Sequence, residues 1–212
     1  VRRGAEEGLA TILEATKNLD MVAAVGLPVW DKWKNKLYNC AAVIQKGEIL
    51  GLVPKIHLPN YGEFYEQRWF ASGAGLDDRI QLCGQEVSIC DSILFACESL
   101  PELVIGVELC EDLWAPEPPS VALVRGGASI MLNLSASNEL AGKAAYRRGL
   151  VSGQSGRLVC GYVYANAGEG ESTTDLVFAG HNIIAENGTI LAERRFACGL
   201  TVSEIDVKRL AY

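Results

Sequence analysis

Apolar positions along the chain form continuous runs that predict strands and spaced patterns that predict helices. Within residues 4–18, Ala5, Leu9, Ile12 and Leu13 recur at helical spacing, so this segment is predicted to be an amphipathic helix. The run MVAAVGLPV that follows is apolar throughout, as is expected of a strand covered on both faces. The first unit of structure is therefore predicted to be a helix followed by a buried strand.

Two pairs of apolar runs are joined by short glycine turns and predict β-hairpins. One pair, LYNCAAVIQKGEILGLVPK, is divided at Lys46-Gly47. The other, LVFAGHNIIAENGTILAERRF, is divided at Asn187-Gly188, which is typical of a type I′ turn. Between them, residues 55–80 are rich in aromatic residues, Gly and Pro without periodicity, which predicts a long surface loop. Such loops often carry function.

The centre of the chain alternates predicted strands with predicted helices. The predicted strands are VSICDSILFAC, LVIGVELC, ASIMLNLSAS and CGYVYANA. Pro118 begins a short helix that ends near Gly126, and Ser137 or Asn138 is predicted to cap a helix over about 140–157. Alternation in the centre with hairpins at the flanks predicts the α/β class with a mixed sheet. Because no segment has the composition of a linker, residues 1–212 are predicted to form a single domain.

Composition narrows the class of protein and its partners. The chain has 212 residues, 49% hydrophobic and 21% charged, which is typical of a globular domain and excludes extensive disorder. A net charge of −7 argues against nucleic acid and anionic membranes as partners, because both require a basic face. No apolar run approaches the roughly 20 residues of a membrane span. Seven cysteines with no CxxC pair predict neither a disulfide framework nor a zinc site, and favour a reducing cytoplasm.

One cysteine stands out by its position in GVELCEDLWAPEPPS. The predicted strand ends at Cys110, and Glu111 and Asp112 follow at once. A thiol at a strand end before a helix can meet free backbone N–H groups, which favour both a thiolate and an oxyanion. The other cysteines are expected to be small buried hydrophobic residues. Cys110 is therefore the candidate nucleophile.

The candidate partners of this thiol lie in VPKIHLPNYGEFYEQRWF. The chain has only two histidines, and of these His181 lies in a strand-like run and is predicted to be structural. Lys55 directly follows an apolar strand, so its ammonium is placed to donate to a developing oxyanion. A solvated loop lysine is the alternative interpretation. The same compact loop also contains His57, Tyr61, Glu63 and Glu66.

Four strings together resemble one protein family. PKIHLPNYGEFYEQRWF, GVELCEDLWAPEPPS, NLSASNELAGKAAYRR and GEGESTTDLVFAG occur in order along nearly the whole chain. They are similar to the glutamine-amidohydrolase domains of glutamine-dependent NAD+ synthetases, a branch of the nitrilase (carbon-nitrogen hydrolase) superfamily. The resemblance implies a four-layer α-β-β-α sandwich, here incomplete at the N-terminus, and a Glu-Lys-Cys triad.

The resemblance assigns the chemistry residue by residue. Cys110 matches the nucleophile and Lys55 the triad lysine. Glu63, eight positions after that lysine, matches a second glutamate that orients the lysine and assists proton transfer. The backbone N–H of Glu111, together with the Lys55 ammonium, is expected to stabilise the oxyanion.

The resemblance also assigns the residues that hold the substrate. Tyr61, Ser137 and Lys143 match positions that bind glutamine, and the Lys143 ammonium is expected to pair with its α-carboxylate. Ser137 is also a candidate helix cap, and it can serve both roles.

The implied reaction is hydrolysis of L-glutamine through a cysteine thioester, with release of ammonia. The resemblance implies that a C-terminal synthetase domain uses this ammonia to amidate nicotinic acid adenine dinucleotide, with ATP and Mg²⁺ bound in that domain. No cofactor and no metal are expected in the amidohydrolase domain itself. Family membership further implies a homo-oligomer.

One departure from the family pattern concerns the general base. The family places a glutamate at the end of an early strand, and this position falls upstream of Val1. We therefore expect the 212-residue chain alone to lack appreciable turnover. The alternatives are a different amidase of the nitrilase superfamily and a catalytically silent, truncated domain. LPNYGEFYE and GEGEST favour the synthetase-linked branch over another amidase.

Overall fold

The computed structural model describes residues 1–168, 170–173, 175–197 and 199–211. Cys198, and Glu169 and Thr174 of the predicted loop GEGESTTD, lie outside the described residues. The chain divides into two compact units, the first from Val1 to Ile93 and the second starting at Leu94. Each unit has its own sheet. The prediction that residues 1–212 form a single domain stays a prediction. None of the helices in the described ranges is long and apolar enough to cross a membrane.

The first unit contains one helix and a five-stranded sheet. Its elements are α1 (Arg2–Thr16), β1 (Val22–Asp31), β2 (Lys36–Gln45), β3 (Glu48–Pro54), β4 (Asp77–Leu82) and β5 (Gln85–Cys90). The strand order is β1-β2-β3-β5-β4, and β3 pairs with β5 in parallel while the other pairs are antiparallel. Leu9 and Leu13 on one face of α1 join the core formed by the sheet, as the helical pattern predicts.

Most predicted elements of this unit are confirmed, with three exceptions. MVAAVGLPV forms β1, but the strand is not covered on both faces, because Leu27 and Val29 are buried while Val22 and Gly26 are exposed. VSICDSILFAC is not one strand, because β5 ends at Cys90 and Phe95–Ala96 is a separate short strand of the second unit.

The β2–β3 hairpin turns at Lys46 and Gly47, whose φ angles of +49° and +83° suit a type I′ turn. The segment 55–80, predicted to be entirely loop, instead ends in β4. In DDRIQL only Ile80 and Leu82 are buried, so the apolar alternation is too short to be recognised. The strand forms because its backbone pairs with β5.

Within its described residues, the second unit contains a six-stranded mixed sheet and three α-helices. Its elements are β6 (Phe95–Ala96), β7 (Val104–Leu109), α2 (Pro119–Arg125), β8 (Ile130–Ser135), α3 (Lys143–Leu158), β9 (Gly161–Asn166), β10 (Asn182–Glu186), β11 (Thr189–Arg194) and α4 (Val207–Leu210). The strand order is β11-β10-β9-β8-β7-β6, with β7, β8 and β9 parallel. The predicted turn at Asn187-Gly188 is confirmed by φ angles of +43° and +82°.

The three parallel strands end at the same edge of the second sheet. Leu109 pairs with Leu134, and Leu134 with Ala165, so the segments after β7 and β8 and the last residue of β9 lie at this edge. Ligand sites in α/β sheets occur at the carboxyl ends of parallel strands. The prediction that Ser137 or Asn138 caps α3 is wrong, because the residue before that helix is Gly142, with φ of +82°. Ser137 and Asn138 therefore belong to the connection from β8 to α3.

Candidate active site

The predicted site residues fall into two groups, one in each compact unit. In the first unit, Lys55 follows β3 directly and is only 3% exposed, which confirms that it is desolvated rather than a solvated loop lysine. Its Nζ lies 2.5 Å from Glu66 Oε2. A buried ammonium requires such a partner, because an unpaired charge in the interior is strongly unfavourable.

The environment of this ion pair is fixed by neighbouring backbone and side chains. Asn39 Nδ2 donates to Glu66 Oε1 at 2.7 Å, and the Asn39 carbonyl accepts from Lys55 N–H at 2.8 Å. The Lys55 carbonyl accepts from Gly73 N–H at 2.8 Å. A Cβ at position 73 would lie 2.5 Å from Pro54 Cβ, so the close approach requires glycine. Lys55 is thus held on both its backbone and its side chain.

The loop between Lys55 and Glu66 also contains Glu63 and Tyr61. Glu63 is half-buried, and Tyr61 is 59% exposed with its ring packed edge-to-face against Phe64 at 6.0 Å. The ion pair of Lys55 is with Glu66, which sequence analysis placed in the loop without giving it a role. No local spacing rule links residues eleven positions apart in an irregular loop. The orienting role of Glu63 stays a prediction.

In the second unit, Cys110 occupies a strained position at the end of β7. Its φ angle is +47°, in the left-handed region that costs a non-glycine residue roughly 1–2 kcal/mol. It begins a short 3₁₀ turn, Cys110–Trp114, and is half-buried. Cys110 N–H donates to Asn133 Oδ1 at 3.3 Å, and Leu109 N–H donates to the buried Asp112 Oδ2 at 3.0 Å. A nucleophile presented on a sharp strand-to-helix turn is a recognised catalytic arrangement.

The other thiols in the described ranges fall into two groups, since Cys83, Cys90 and Cys97 are half-buried like Cys110, whereas Cys40 and Cys160 are buried. Cys40 and Cys160 are fully buried, and burial raises the pKa of Cys160 to about 12 and that of Cys40 still further above its usual range. Burial, with the nearby Glu6 carboxylate, raises the pKa of Cys83 as well. Cys40, Cys83, Cys90, Cys110 and Cys160 form no disulfide bond, and no group of three His, Cys, Asp or Glu side chains in these ranges could hold a metal ion.

A second titratable group lies two residues before Cys110. Glu108 is 1% exposed in β7, and burial raises the pKa of its carboxyl from 4.5 to about 7. Tyr162 donates its hydroxyl to Glu108 Oε1, and Ser120 N–H donates to Oε2 at 2.8 Å. Glu108 is not among the predicted site residues, although a carboxylate inside the apolar strand VIGVEL is the kind of exception that marks a buried network.

The connection after β8 carries two predicted substrate-binding residues. Ser137 is 3% exposed, and its backbone is clamped by Asn166, which accepts from Ser137 N–H at 2.8 Å and donates to its carbonyl at 3.0 Å. Lys143 donates to Asn138 Oδ1, and its Nζ lies 5.3 Å from the centre of the Trp114 ring. The structure therefore places Lys143 beside the turn that begins at Cys110.

A buried arginine also binds the connection between β8 and α3. Arg147 is 0% exposed and donates to the carbonyl of Asn138 at 2.9 Å and to Ser137 Oγ at 3.3 Å. It also donates to Glu139 at 3.2 Å and to His181 Nδ1 at 2.9 Å. His181 Nε2 in turn lies 2.8 Å from Glu193 Oε1, which confirms the predicted structural role of this histidine. Arg147 has no sequence signal beyond its charge on a helix.

The comparisons with known proteins show the family of the chain. The family model described as carbon-nitrogen hydrolase matches residues 3–211. The glutamine-dependent NAD(+) synthetase of Mycobacterium tuberculosis is 43% identical over 203 residues, which are 95% of this chain and 30% of that protein. The human glutamine-dependent NAD(+) synthetase is 32% identical over 195 residues, 87% of this chain and 27% of that protein. The chain thus spans about 30% of the length of the curated relatives that it matches.

Solved structures give the same result for the fold. A glutamine-dependent NAD(+) synthetase from Cytophaga hutchinsonii matches with a TM-score of 0.77 at 27% identity, covering 93% of this chain and 32% of that one. A carbon-nitrogen hydrolase from Helicobacter pylori matches with a TM-score of 0.75 at 20% identity, covering 99% of this chain and 70% of that one. At that identity the second likeness concerns the fold alone. The predicted fold class, nitrilase-like α/β, is confirmed.

Proposed function

The chain belongs to the carbon-nitrogen hydrolase family, and on that premise we propose that it is the part of a longer protein that hydrolyses the side-chain amide of L-glutamine through a thioester on Cys110. The observation that carries the proposal is the position of Cys110. It stands in a strained turn at the carboxyl edge of three parallel strands, half-buried, whereas Cys40 and Cys160 are sequestered in the core. Position and access are what distinguish a reactive thiol from a structural one.

The covalent steps are those of acyl transfer. The Cys110 thiolate attacks the side-chain carbonyl carbon of glutamine, a C–S bond forms, and the C–N bond breaks as the nitrogen takes up a proton and leaves as ammonia. Water then attacks the thioester carbonyl, glutamate is released, and the sulfur regains a proton. A carboxylate base that accepts and returns these protons contributes about 10²–10⁴-fold in such reactions.

Charge develops on the carbonyl oxygen in both steps. We assign the Lys55 ammonium and the backbone N–H of Glu111 to this oxyanion, because each is a fixed donor that needs no reorganisation during the reaction. The Lys55 ion pair with Glu66 supports the assignment, since it holds the ammonium in one orientation. Glu63 is kept as the second carboxylate that assists proton transfer.

The amino-acid end of glutamine is assigned to Tyr61, Ser137 and Lys143. Glutamine carries an α-carboxylate, and a lysine ammonium pairs well with a carboxylate in a partly buried setting. The contacts of Lys143 with Asn138 and the Trp114 ring support this role, because they hold the cation beside the Cys110 turn.

We further propose that the chain is the glutaminase part of a longer synthetase. The relatives are glutamine-dependent NAD(+) synthetases, and this chain covers about 30% of their length. In such a protein the ammonia would amidate nicotinic acid adenine dinucleotide in a C-terminal domain that binds ATP and Mg²⁺. A cytoplasmic homo-oligomer is the assembly proposed for it.

The proposal is tested by replacing the nucleophile in the full-length gene product. Cys110→Ala is expected to abolish glutamine hydrolysis and glutamine-dependent NAD+ formation, while NAD+ formation from free ammonia remains. Cys90→Ala is the control, because Cys90 is the last residue of β5 in the first unit, its Sγ lies 3.5 Å from Ser92 Oγ, and it has no assigned role. Glutamine hydrolysis that survives Cys110→Ala would contradict the proposal, and hydrolysis of other amides in preference to glutamine would point to a different amidase.

A further inference from the structure

A chain of buried polar groups connects Glu108 with the backbone of Cys110. Tyr162 donates its hydroxyl to Glu108 Oε1, Asn133 Nδ2 donates to the Tyr162 oxygen at 3.2 Å, and Asn133 Oδ1 accepts from Cys110 N–H. Glu108, Asn133 and Tyr162 are each at most 1% exposed. None of the three side chains has a role in the chemistry proposed above. Polar groups this deeply buried are costly unless they are satisfied and serve a purpose.

The hydrogen bonds that link Glu108 to Cys110 through Tyr162 and Asn133 all run in one direction. When its carboxyl is ionised, Glu108 accepts at both oxygens, from Ser120 N–H and from the Tyr162 hydroxyl. Because the only proton of Tyr162 is used there, its oxygen can only accept, and the NH₂ end of the Asn133 amide must face it. The Oδ1 end must then face Cys110 N–H, and it also accepts from Ser135 Oγ at 2.6 Å. Glu108 thus selects one of the two orientations of the Asn133 amide.

The selected orientation acts on the residue whose backbone is strained. A left-handed φ at a non-glycine residue persists only where surrounding contacts determine it. The bond from Cys110 N–H to Asn133 fixes the peptide plane before Cys110, and this plane sets the direction in which the thiol leaves β7.

We propose that Asn133 is a positioning residue for Cys110, and that Tyr162 and Glu108 hold its side-chain amide in the required orientation. The inference rests on the proposed function for the identity of the reaction, but the reactivity of the thiol can be measured without it. A purely structural network makes a different prediction. If Glu108 only binds the start of α2 through Ser120, and Tyr162 only fills the core, losing either side chain lowers stability without changing the behaviour of the thiol.

The test is Tyr162→Phe in the full-length gene product, which removes one hydroxyl and keeps the ring. Ser155→Ala is the matched control, because this fully buried hydroxyl donates to the Cys160 carbonyl at 2.7 Å and has no link to Cys110. Both variants are expected to lower Tm. Only Tyr162→Phe should slow alkylation of Cys110 by iodoacetamide and lower kcat for glutamine, each by about five- to tenfold, the effect of one hydrogen bond. KM for glutamine should stay within about twofold, because the substrate-binding residues are untouched.

Glu108→Gln provides a second variant should Tyr162→Phe fail to fold. A glutamine side chain has one acceptor oxygen, so it cannot accept from both Ser120 N–H and Tyr162. An NH₂ group facing Tyr162 would reverse the donor-to-acceptor direction of the hydrogen bonds that lead to Cys110. The same loss of alkylation rate and kcat is expected. A folded variant of either kind with wild-type alkylation and kcat would overturn the inference. A wild-type enzyme that hydrolyses no glutamine would instead overturn the proposed function, while the alkylation rates would still decide the role of Asn133.

Discussion

At the scale of single residues, the thiols differ in the two properties that set reactivity, which are pKa and access. Burial raises the pKa of Cys160 to about 12 and that of Cys40 further, so both stay protonated at neutral pH. Cys110 is half-buried at a sheet edge. We therefore expect a glutamine-like electrophile to label Cys110 far faster than the other cysteines of the full-length gene product. Peptide mapping by mass spectrometry measures this, and comparable labelling of Cys40 or Cys160 would remove the argument for Cys110.

Lys143 is assigned to substrate binding and not to the covalent steps of the reaction. Lys143→Ala is expected to raise KM for glutamine by about tenfold or more, the effect of one charged hydrogen bond of 1.5–3 kcal/mol, with a smaller change in kcat. Steady-state kinetics of the full-length gene product measures the split. Lys208→Ala, at an exposed position in α4, is the control. If Lys143→Ala also abolishes NAD+ formation from free ammonia, its role is structural and the assignment fails.

Glu108 makes stability depend on pH in a direction opposite to that of most carboxylates. Its pKa is about 7 in the folded state and near its ordinary value of 4.5 when unfolded, so the folded state binds the extra proton between these values. The associated stability is present below about pH 4.5 and is lost as pH rises through about 7. Relative to Glu108→Gln, which cannot titrate, the wild type should lose roughly 3 kcal/mol of unfolding free energy across this range.

Urea unfolding of wild type and Glu108→Gln at several pH values measures this difference. Glu98→Gln is the control, because Glu98 is an exposed carboxylate of the same unit. A wild-type curve parallel to that of Glu108→Gln would mean that the carboxyl of Glu108 titrates normally.

At the scale of elements, α3 carries two adjacent arginines with contrasting environments. Arg147 is fully buried and binds the connection from β8, whereas the Arg148 side chain is 54% exposed and pairs with Glu193. Arg147→Met should lower the unfolding free energy by about 3 kcal/mol or more, because it leaves buried partners unpaired. Arg148→Met should cost less than about 1 kcal/mol. Equal effects in urea unfolding would contradict the role given to Arg147.

The elements that sequence predicts well are those with local signals. Both glycine turns, the helix after Pro118 and the parallel strands appear where the pattern predicts them. The start of α3 does not, because Ser137 has the chemistry of a cap but is held by Asn166 of β9 and by the side chain of Arg147, which lies within α3. The partner of Lys55 was missed for the same reason. Non-local contacts decided these positions, and no spacing rule encodes them.

At the scale of the whole molecule, Lys55 and Tyr61 lie in the first compact unit, whereas Cys110, Ser137 and Lys143 lie in the second. Four strings spread along the chain predicted both the family and most of these residues, and the match of the family model to residues 3–211 confirms the family. The relatives are longer proteins, and this chain covers about 30% of their length.

The most direct test of the account is to trap the covalent intermediate. The full-length gene product is mixed with L-glutamine, quenched with acid within one turnover, digested and analysed by mass spectrometry. We expect one glutamyl group bound as a thioester to Cys110, present with glutamine, absent with glutamate, and removed by hydroxylamine. Steady hydrolysis of glutamine with no adduct on Cys110, or with the adduct on another cysteine, would contradict the account.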